Sequence, residues 1–454
     1  MMTLGEAAAV LGGTTAAGQV RFEAVSTDSR ALREGELFVA LRGERFDGHE
    51  FLAMAAGRGA AGAMVERRHG GPLPLPALLV EDTRRALGEL ARHWRRRFSP
   101  SVVAVTGSNG KTTVKEMLAA ILRHHAKAEA AGEVAVLATS GNLNNDIGVP
   151  LMVLRLRAEH RWCAFELGMN HPGEIAYLAG IAAPTVALVN NAQREHLEFR
   201  SSVDQVAAEN GSVYDALPAD GVAVVNADDA HAGYFRARAE PRRVVDFGLR
   251  GAQVTGRYEL KHLASEIRIR TPDGEAEASL AIPGLHNVRN ALAAAACAVA
   301  AGIPAASVGA GLRAFRPYTG RLQVKQGTGG VTIIDDTYNA NPDSVRAAID
   351  VLVSCPGPTA LVLGDMGEVG EQGPQFHREV GEYARSKGVD RLLALGAATP
   401  DAVSAFGPGA SHFAAVEELV AALAAKTVLV KGSRFMKMER VVAALTGTRD
   451  PGGH

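Results

Sequence analysis

The sequence predicts an α/β protein of three domains, two of them built on parallel sheets with helices on both faces. Three observations carry this expectation. The chain has 454 residues, about three times the ~150 of a common domain. Over residues 101–226, and again beyond 331, short apolar runs of strand length alternate with helical patterns, the signature of βα units in a parallel sheet. Glycine and alanine are abundant while aromatic residues are only 5%, a composition that lets helices pack closely on sheets through small side chains.

The same composition excludes several classes. With 47% hydrophobic and 21% charged residues, the chain has the apolar content of a globular protein rather than a disordered one. Its 48 basic and 49 acidic residues leave a net charge of −1, without the broad basic footprint of a nucleic-acid binder. No run reaches the ~18 unbroken apolar residues of a membrane span, so no stable membrane insertion is expected. The N-terminus lacks a basic segment followed by an apolar one and a cleavage site. Cys163, Cys297 and Cys355 are odd in number and far apart, with neither metal-ligand spacing nor a disulfide framework. A cytoplasmic enzyme is the resulting expectation; it is taken as a monomer, although the sequence is silent on oligomeric state.

The first domain is expected over 1–97, with strands at 36–41, 60–66 and 77–81. The Pro-rich stretch 70–76 forces a loop, and a basic helix follows over 84–97. Its Arg95-Arg96-Arg97 end reads as a solvated helix terminus. Ser99-Pro100 breaks the chain. The central domain, 98–317, starts with a buried strand at 102–106 and a helix at 112–123; further strands fall at 162–167, 185–190 and 222–226. Polar/apolar alternation over 260–282 predicts antiparallel strands, and helices follow at 287–301 and 305–314. Residues 316–320, Arg-Pro-Tyr-Thr-Gly, form a hinge. The third domain, 318–454, repeats the βα alternation with strands at 331–335, 360–363, 391–395 and 428–430, a second doubly wound, Rossmann-like unit.

The strongest chemical signal is the stretch from Val102 to Thr113, V-V-A-V-T-G-S-N-G-K-T-T. An apolar strand runs into Gly107, Ser108, Asn109 and Gly110, and Lys111, Thr112 and Thr113 open a helix. Glycines let backbone N–H groups turn inward around an anion, and the helix N-terminus adds its dipole. Lys111 is placed to reach the outer phosphates of ATP, and the Thr112 hydroxyl to bind Mg²⁺. The spacing departs from G-x-x-x-x-G-K-[ST], because Val105 stands where the first glycine belongs, so the loop is shorter or differently shaped. A structural turn is the plainer alternative.

Other polar strings sit at predicted strand ends. Ser140–Pro150 is rich in asparagines, which suit carboxylates and amides on a substrate but also make turns. Glu166 ends a strand, where ligands of open α/β sheets bind, and its carboxylate suits Mg²⁺ as readily as a salt bridge. His196 follows the next strand end. Asn287 is a helix cap or a ligand contact. Arg321 offers a guanidinium that matches phosphate geometry. Asp336 falls at another strand's carboxyl end, just ahead of Tyr338, Asn339 and Asn341.

These strings together, T-G-S-N-G-K-T-T, G-N-L-N-N-D-I-G-V-P, D-D-T-Y-N-A-N-P and K-G-S-R, resemble the Mur ligases, ATP-dependent amide-forming enzymes of bacterial cell-wall precursor synthesis. The resemblance extends over nearly the whole chain. It implies a small UDP-sugar-binding domain, a central ATP-binding domain and a C-terminal ligase domain. It points to the members that add D-alanyl-D-alanine to UDP-N-acetylmuramoyl-tripeptide through an acyl phosphate. By the same resemblance Glu166 is a metal ligand, His196 contacts a second Mg²⁺, Asn287 lies near the adenine, and Arg321 reaches across the cleft to the phosphates. Asp336 is then a candidate for the ribose hydroxyls. Asn142, Asn144, Asn145, Asn339 and Asn341 are candidates for the peptide substrates, and Lys431 or Arg434 for a substrate carboxylate. Ser29, Arg30 and Asp47 resemble UDP-binding residues. His196 and Asp336 are candidate general bases, although an amine already deprotonated would need none.

One position departs from the pattern. Many Mur ligases carry a lysine, within K-G-E, that becomes carbamoylated and binds metal; here Asn210 occupies it, and an amide cannot form a carbamate. No carbamoyl-lysine is expected, with Glu209 the candidate substitute anion. The competing functions are another Mur-type or folylpolyglutamate-type ligase, and a phosphate-loop ATPase without ligase activity.

Overall fold

A computed structural model describes residues 1–44, 46–194 and 202–448. The central domain is organised by a six-stranded parallel sheet in the order Arg243–Phe247, Val222–Asn226, Val186–Val189, Ser101–Thr106, Trp162–Glu166, Val136–Ala138. Its strands are short runs rich in valine and alanine, most of them buried on both faces, which is why they read as continuous apolar segments. The strand entering the glycine loop lies near the middle. Val105 pairs in register with Glu166 on one side, and Thr106 with Val189 on the other. The sheet therefore delivers the loop, the carboxylate of Glu166 and the amide of Asn190 to one edge.

Helix Lys111–Ala128 covers one face of this sheet and packs against Leu285–Ala300 and Ala305–Ala314. Alanines and Gly311 line these contacts. A Cβ on Gly311 would lie 2.3 Å from the backbone of Ile121, so the two helices touch backbone to backbone. The antiparallel strands expected over 260–282 form a three-stranded sheet, Thr255–Leu260, Ser265–Thr271 and Gly274–Leu280, beside these helices.

The first domain has a four-stranded parallel sheet, Ala24–Ser26, Glu36–Val39, Gly62–Glu66 and Ala77–Val80. Helix Thr83–Arg95 leaves it and lies on helices Gly148–Val153 and Glu174–Ala182 of the central domain. One apolar cluster joins Leu87, Leu90 and Trp94 to Met152, Leu178 and Ile181. The expectation of a solvated Arg95 is corrected here. Arg95 is buried; its Nε and Nη2 donate to the carbonyls of Ala182 and Ala183, at 2.8 and 2.9 Å. These are the carbonyls that the end of helix Glu174–Ala182 leaves without helical donors.

The third domain is a six-stranded sheet in the order Gln323–Gln326, Thr332–Asp336, Thr427–Lys431, Thr359–Gly364, Arg391–Leu395, Ala410–Phe413. Only the edge pair formed by the first two strands is antiparallel. The carboxyl ends of its central strands carry Asp336 and Lys431. Strands Val136–Ala138, Gln323–Gln326 and Ala410–Phe413, among others not expected from the sequence, are edge strands of three or four residues, too short for a pattern to mark them.

Replacing Gly311 by alanine is expected to destabilise the central domain by about 1–3 kcal/mol, the usual range for an overpacked contact between close backbones. Urea denaturation compared with the parent chain measures it.

Candidate functional site

Two loop glycines adopt positive φ, 123° at Gly107 and 83° at Gly110. Both also sit where a side chain has no room. A Cβ on Gly107 would come within 2.9 Å of the backbone nitrogens of Asn190 and Asn191, and one on Gly110 within 2.3 Å of Asn290 Oδ1. Amide side chains hold the loop. Asn191 Oδ1 accepts from the Asn109 N–H at 2.8 Å, while Asn190 and Asn191 donate to the Asn109 carbonyl at 2.7 and 3.0 Å. Asn109 Nδ2 donates to Gln193 Oε1 at 2.7 Å, and the Gln193 N–H donates to Ser108 Oγ at 2.9 Å. The Lys111 ammonium folds back over the loop, donating to the carbonyls of Gly107 and Ser108 at 2.6 and 3.1 Å.

Glu166 ends its strand almost completely buried. Its Oε1 accepts from Asn144 Nδ2 at 2.7 Å and from Thr112 Oγ1 at 3.2 Å, while Oε2 is buried with no hydrogen-bond partner among the described residues. An unpartnered, desolvated carboxylate oxygen is costly unless a cation or donor meets it. Beside the Thr112 hydroxyl, it forms a hard-oxygen donor pair that fits Mg²⁺. Asn144 is thereby placed as the residue that orients Glu166. His196 lies outside the described residues. Among the described residues no group of three His, Cys, Asp or Glu side chains converges as a metal site.

Arg321 reaches this point from the third domain. Its Nη2 lies 3.4 Å from Thr112 Oγ1, and its guanidinium stacks over the Tyr338 ring at 4.0 Å. The structure thus brings Lys111, Thr112, Glu166, Asn144 and Arg321 together across the cleft.

Asn210 is wholly buried and takes a different part from a metal ligand. Its Oδ1 accepts from Thr106 Oγ1 at 2.7 Å and from the Gly107 N–H at 2.9 Å, and its Nδ2 donates to the Val206 carbonyl at 3.0 Å. The amide fastens the start of the glycine loop to helix Val203–Gly211. Glu209, expected as a substitute anion, accepts from the N–H groups of Gly173 and Ile175 at 2.8 and 3.0 Å. It caps helix Glu174–Ala182.

Two cavities flank the loop. One, of about 310 Å³, is lined by Asn109, Gly110, Thr113, Asn287, Asn290, Arg289, Asp336 and Lys431, among others. The second, of about 320 Å³, is lined by Ser108, Lys111, Asn142, Asn144, Asn145, Glu166, Asn339, Asn341 and Arg434, among others. Arg321 borders both. The asparagine candidates therefore gather on the Glu166 side and Asn287 on the other.

Asp336 accepts from Lys431 Nζ at 2.6 Å and from the Leu322 N–H at 3.2 Å; Lys431 also donates to the Asn339 carbonyl at 2.8 Å. Lys431 is 2% exposed, and its charge is paired with Asp336. Arg434 is exposed and pairs with Glu439 at 2.8 Å. Ser29, Arg30 and Asp47 line neither cavity and lie in the first domain. There Arg30 pairs with Asp28, and Asp47 accepts from His49 Nδ1 at 2.6 Å. His286, at the cavity lined by Asn287 and Asp336, has its pKa pushed down to about 4, chiefly by burial and partly opposed by Asp336.

Asn190, Asn191, Gln193 and Arg194 take parts in the site that the sequence pattern, which points to His196 in the same string, does not assign. The signal was present: N-N-A-Q-R follows a strand in the same sheet and so falls at the same carboxyl edge as the loop.

Comparison with known proteins follows the same outline. Three family models match in succession: Mur ligase family, catalytic domain, over residues 21–95; Mur ligase middle domain over 105–298; and Mur ligase, glutamate ligase domain, over 320–434. The UDP-N-acetylmuramoyl-tripeptide--D-alanyl-D-alanine ligase of Escherichia coli (strain K12) is 41% identical over 456 residues, covering 98% of each chain. Its Haemophilus influenzae counterpart is 40% identical, covering 94% of each. Among solved structures, MurF from Acinetobacter baumannii superposes with a TM-score of 0.89 at 35% identity, covering 98% of this chain and 99% of that one. MurF ligase from Thermotoga maritima in complex with ADP gives 0.80 at 28% identity, covering 94% and 97%.

Asn210→Ala leaves the Thr106 hydroxyl and the Gly107 N–H buried without an acceptor, and should cost about 1–3 kcal/mol in chemical denaturation. His286 generates a pH prediction. Because the buried ring binds its proton less readily than an unfolded histidine, its contribution to stability is complete above pH 6.5 and is lost as the pH falls towards 4. Denaturation midpoints of His286→Asn should therefore fall less between pH 7 and pH 5 than those of the parent chain.

Proposed function

The chain belongs to the Mur ligase family, and from that premise we propose that it joins D-alanyl-D-alanine to UDP-N-acetylmuramoyl-tripeptide at the expense of ATP, as an enzyme of peptidoglycan precursor synthesis. The observation that carries the reading is the meeting of Lys111, Thr112 and Glu166 at the loop with Arg321 arriving from the third domain. The domain division that goes with it is 1–97 for the UDP-bearing substrate, 98–317 for ATP and 318–454 for the incoming dipeptide. Among the described residues no helix is long and apolar enough to cross a membrane. The reaction is assigned to the cytoplasm, where ATP and the soluble precursor meet.

A carboxylate does not acylate an amine, because oxide is a hopeless leaving group. A terminal carboxylate oxygen of the tripeptide therefore attacks the γ-phosphorus of ATP, and ADP departs. The neutral amine of D-alanyl-D-alanine then attacks the acyl carbon, and the proton it sheds in forming the amide passes to the departing phosphate. Inorganic phosphate leaves, carrying the oxygen that came from the peptide.

The residues divide this work. The N–H groups at the start of helix Lys111–Ala128, together with the helix dipole, receive the phosphates. Lys111 exchanges the Gly107 and Ser108 carbonyls for phosphate oxygens, and Arg321 spans to the same group. Thr112 and Glu166 would hold Mg²⁺, whose charge offsets the repulsion between carboxylate and triphosphate. Asn144 keeps Glu166 aimed. Asn287 and Asp336 border the nucleoside side. Asn142, Asn145, Asn339, Asn341 and Arg434 border the peptide side, and Ser29, Arg30 and Asp47 carry the uridine end.

The test is substrate-dependent phosphate release. Release is expected only when UDP-N-acetylmuramoyl-tripeptide and D-alanyl-D-alanine are both present, and ¹⁸O in the tripeptide carboxylate should emerge in the phosphate. Lys111→Ala should lower turnover by at least about a hundredfold while leaving the melting transition in place. Phosphate released without either peptide substrate would mark a simple ATPase instead.

A further inference from the structure

Building on that reading, we propose that Arg194 is a positioning residue for the ligation, holding the third domain in register with the phosphate loop. Arg194 follows Gln193, the residue that exchanges hydrogen bonds with Ser108 and Asn109. Its guanidinium spans two third-domain carboxylates. Nε lies 3.2 Å from both oxygens of Asp343, while Nη1 and Nη2 donate to Glu379 at 2.7 and 3.0 Å. The Arg194 N–H also donates to Asp343 Oδ2 at 3.1 Å, and the guanidinium lies 5.3 Å from the Phe376 ring centre. All three charged side chains are about three-quarters buried, unlike an ordinary surface pair. A planar fork can serve two carboxylates at once, which an ammonium cannot do in the same geometry.

A second contact points the same way independently. Asn341 caps helix Pro342–Val353, accepting from the Ser344 N–H at 2.8 Å, and its Nδ2 donates across the cleft to Asn109 Oδ1 at 2.9 Å. Asp343 stands in the first turn of that same helix. One helix start is thus tied twice to the phosphate loop, through Asn109 and through the residue after Gln193. Arg346 donates to Glu379 at 2.9 Å and keeps helix Gly373–Ser386 in the same assembly. The links join two domains whose sheets are otherwise separate, so their role is to fix where Arg321, Asn339 and Asn341 stand relative to the nucleotide.

The three cysteines are buried, so cysteines introduced for Asp220 and Glu382 can carry spin labels, one on each domain. Double electron–electron resonance should give one narrow distance in the parent chain. Arg194→Ala should broaden it, Arg194→Lys less so, and Asp343→Asn should broaden it from the other side. Arg238→Ala, which breaks a fork to Asp215 inside the central domain alone, should leave it unchanged. In steady-state assays Arg194→Ala should lower kcat/KM for D-alanyl-D-alanine on the order of tenfold to a hundredfold, with ATP affinity within about twofold. Distances that superimpose on the parent's, or an unaltered kcat/KM for the dipeptide, would overturn the proposal. The distances need no substrate, so a parent chain without ligase turnover would remove the functional reading and leave this measurement standing.

Discussion

Phosphate recognition by backbone depends on a loop that stays open when nothing fills it. Here neutral amides impose that constraint. Asn190, Asn191, Gln193 and Asn210 grip the loop's own donors and acceptors from behind, adding no charge that would compete with the ligand. An amide carries both a donor and an acceptor, so each can satisfy a buried peptide group and still bond to a neighbour. The parallel sheet makes this possible. It sets the loop strand between the strands of Glu166 and Asn190, so the loop is flanked at one edge by a carboxylate and by amides.

Asn210 illustrates how a family position can be refilled. The resemblance puts a modified lysine there, and the amide that stands in its place ties Thr106 and Gly107 to a neighbouring helix. The anion expected beside it, Glu209, is turned away to cap helix Glu174–Ala182. Glu166 faces the cleft with one oxygen unmatched among the described residues. The polar economy of the site rests on Thr112 and Asn144 sharing the other oxygen.

Much of the architecture was legible because the buried strands are unbroken apolar runs. Residues 222–226 and 391–395 were read to the residue, and the helix over 305–314 likewise. The loop and Glu166 were legible for the same reason: strand ends in an α/β sheet announce a ligand edge. Strands Val136–Ala138 and Gln323–Gln326 were not, being short edge elements stabilised by pairing rather than by pattern. Arg95 misled because charge in a sequence suggests solvent, whereas a guanidinium can also satisfy carbonyls inside a protein. Lys431 stood in the sequence as a candidate for a substrate carboxylate, and only the pairing of two strands, 332–336 and 427–431, reveals Asp336 beside it. Such partnerships are properties of topology, which no local string encodes.

The burial of Arg95 and Trp94 on the central domain bears on how the polypeptide is partitioned. Trp94 Nε1 donates to the Leu156 carbonyl at 3.0 Å, and its ring shares an apolar cluster with Leu178 and Ile181. The Ser99-Pro100 break in the chain is thus not a seam in the molecule. A fragment beginning there would present a bare hydrophobic socket and unmatched carbonyls to water. The first two stretches of sequence are consequently obliged to mature together, whatever separate ligands they carry.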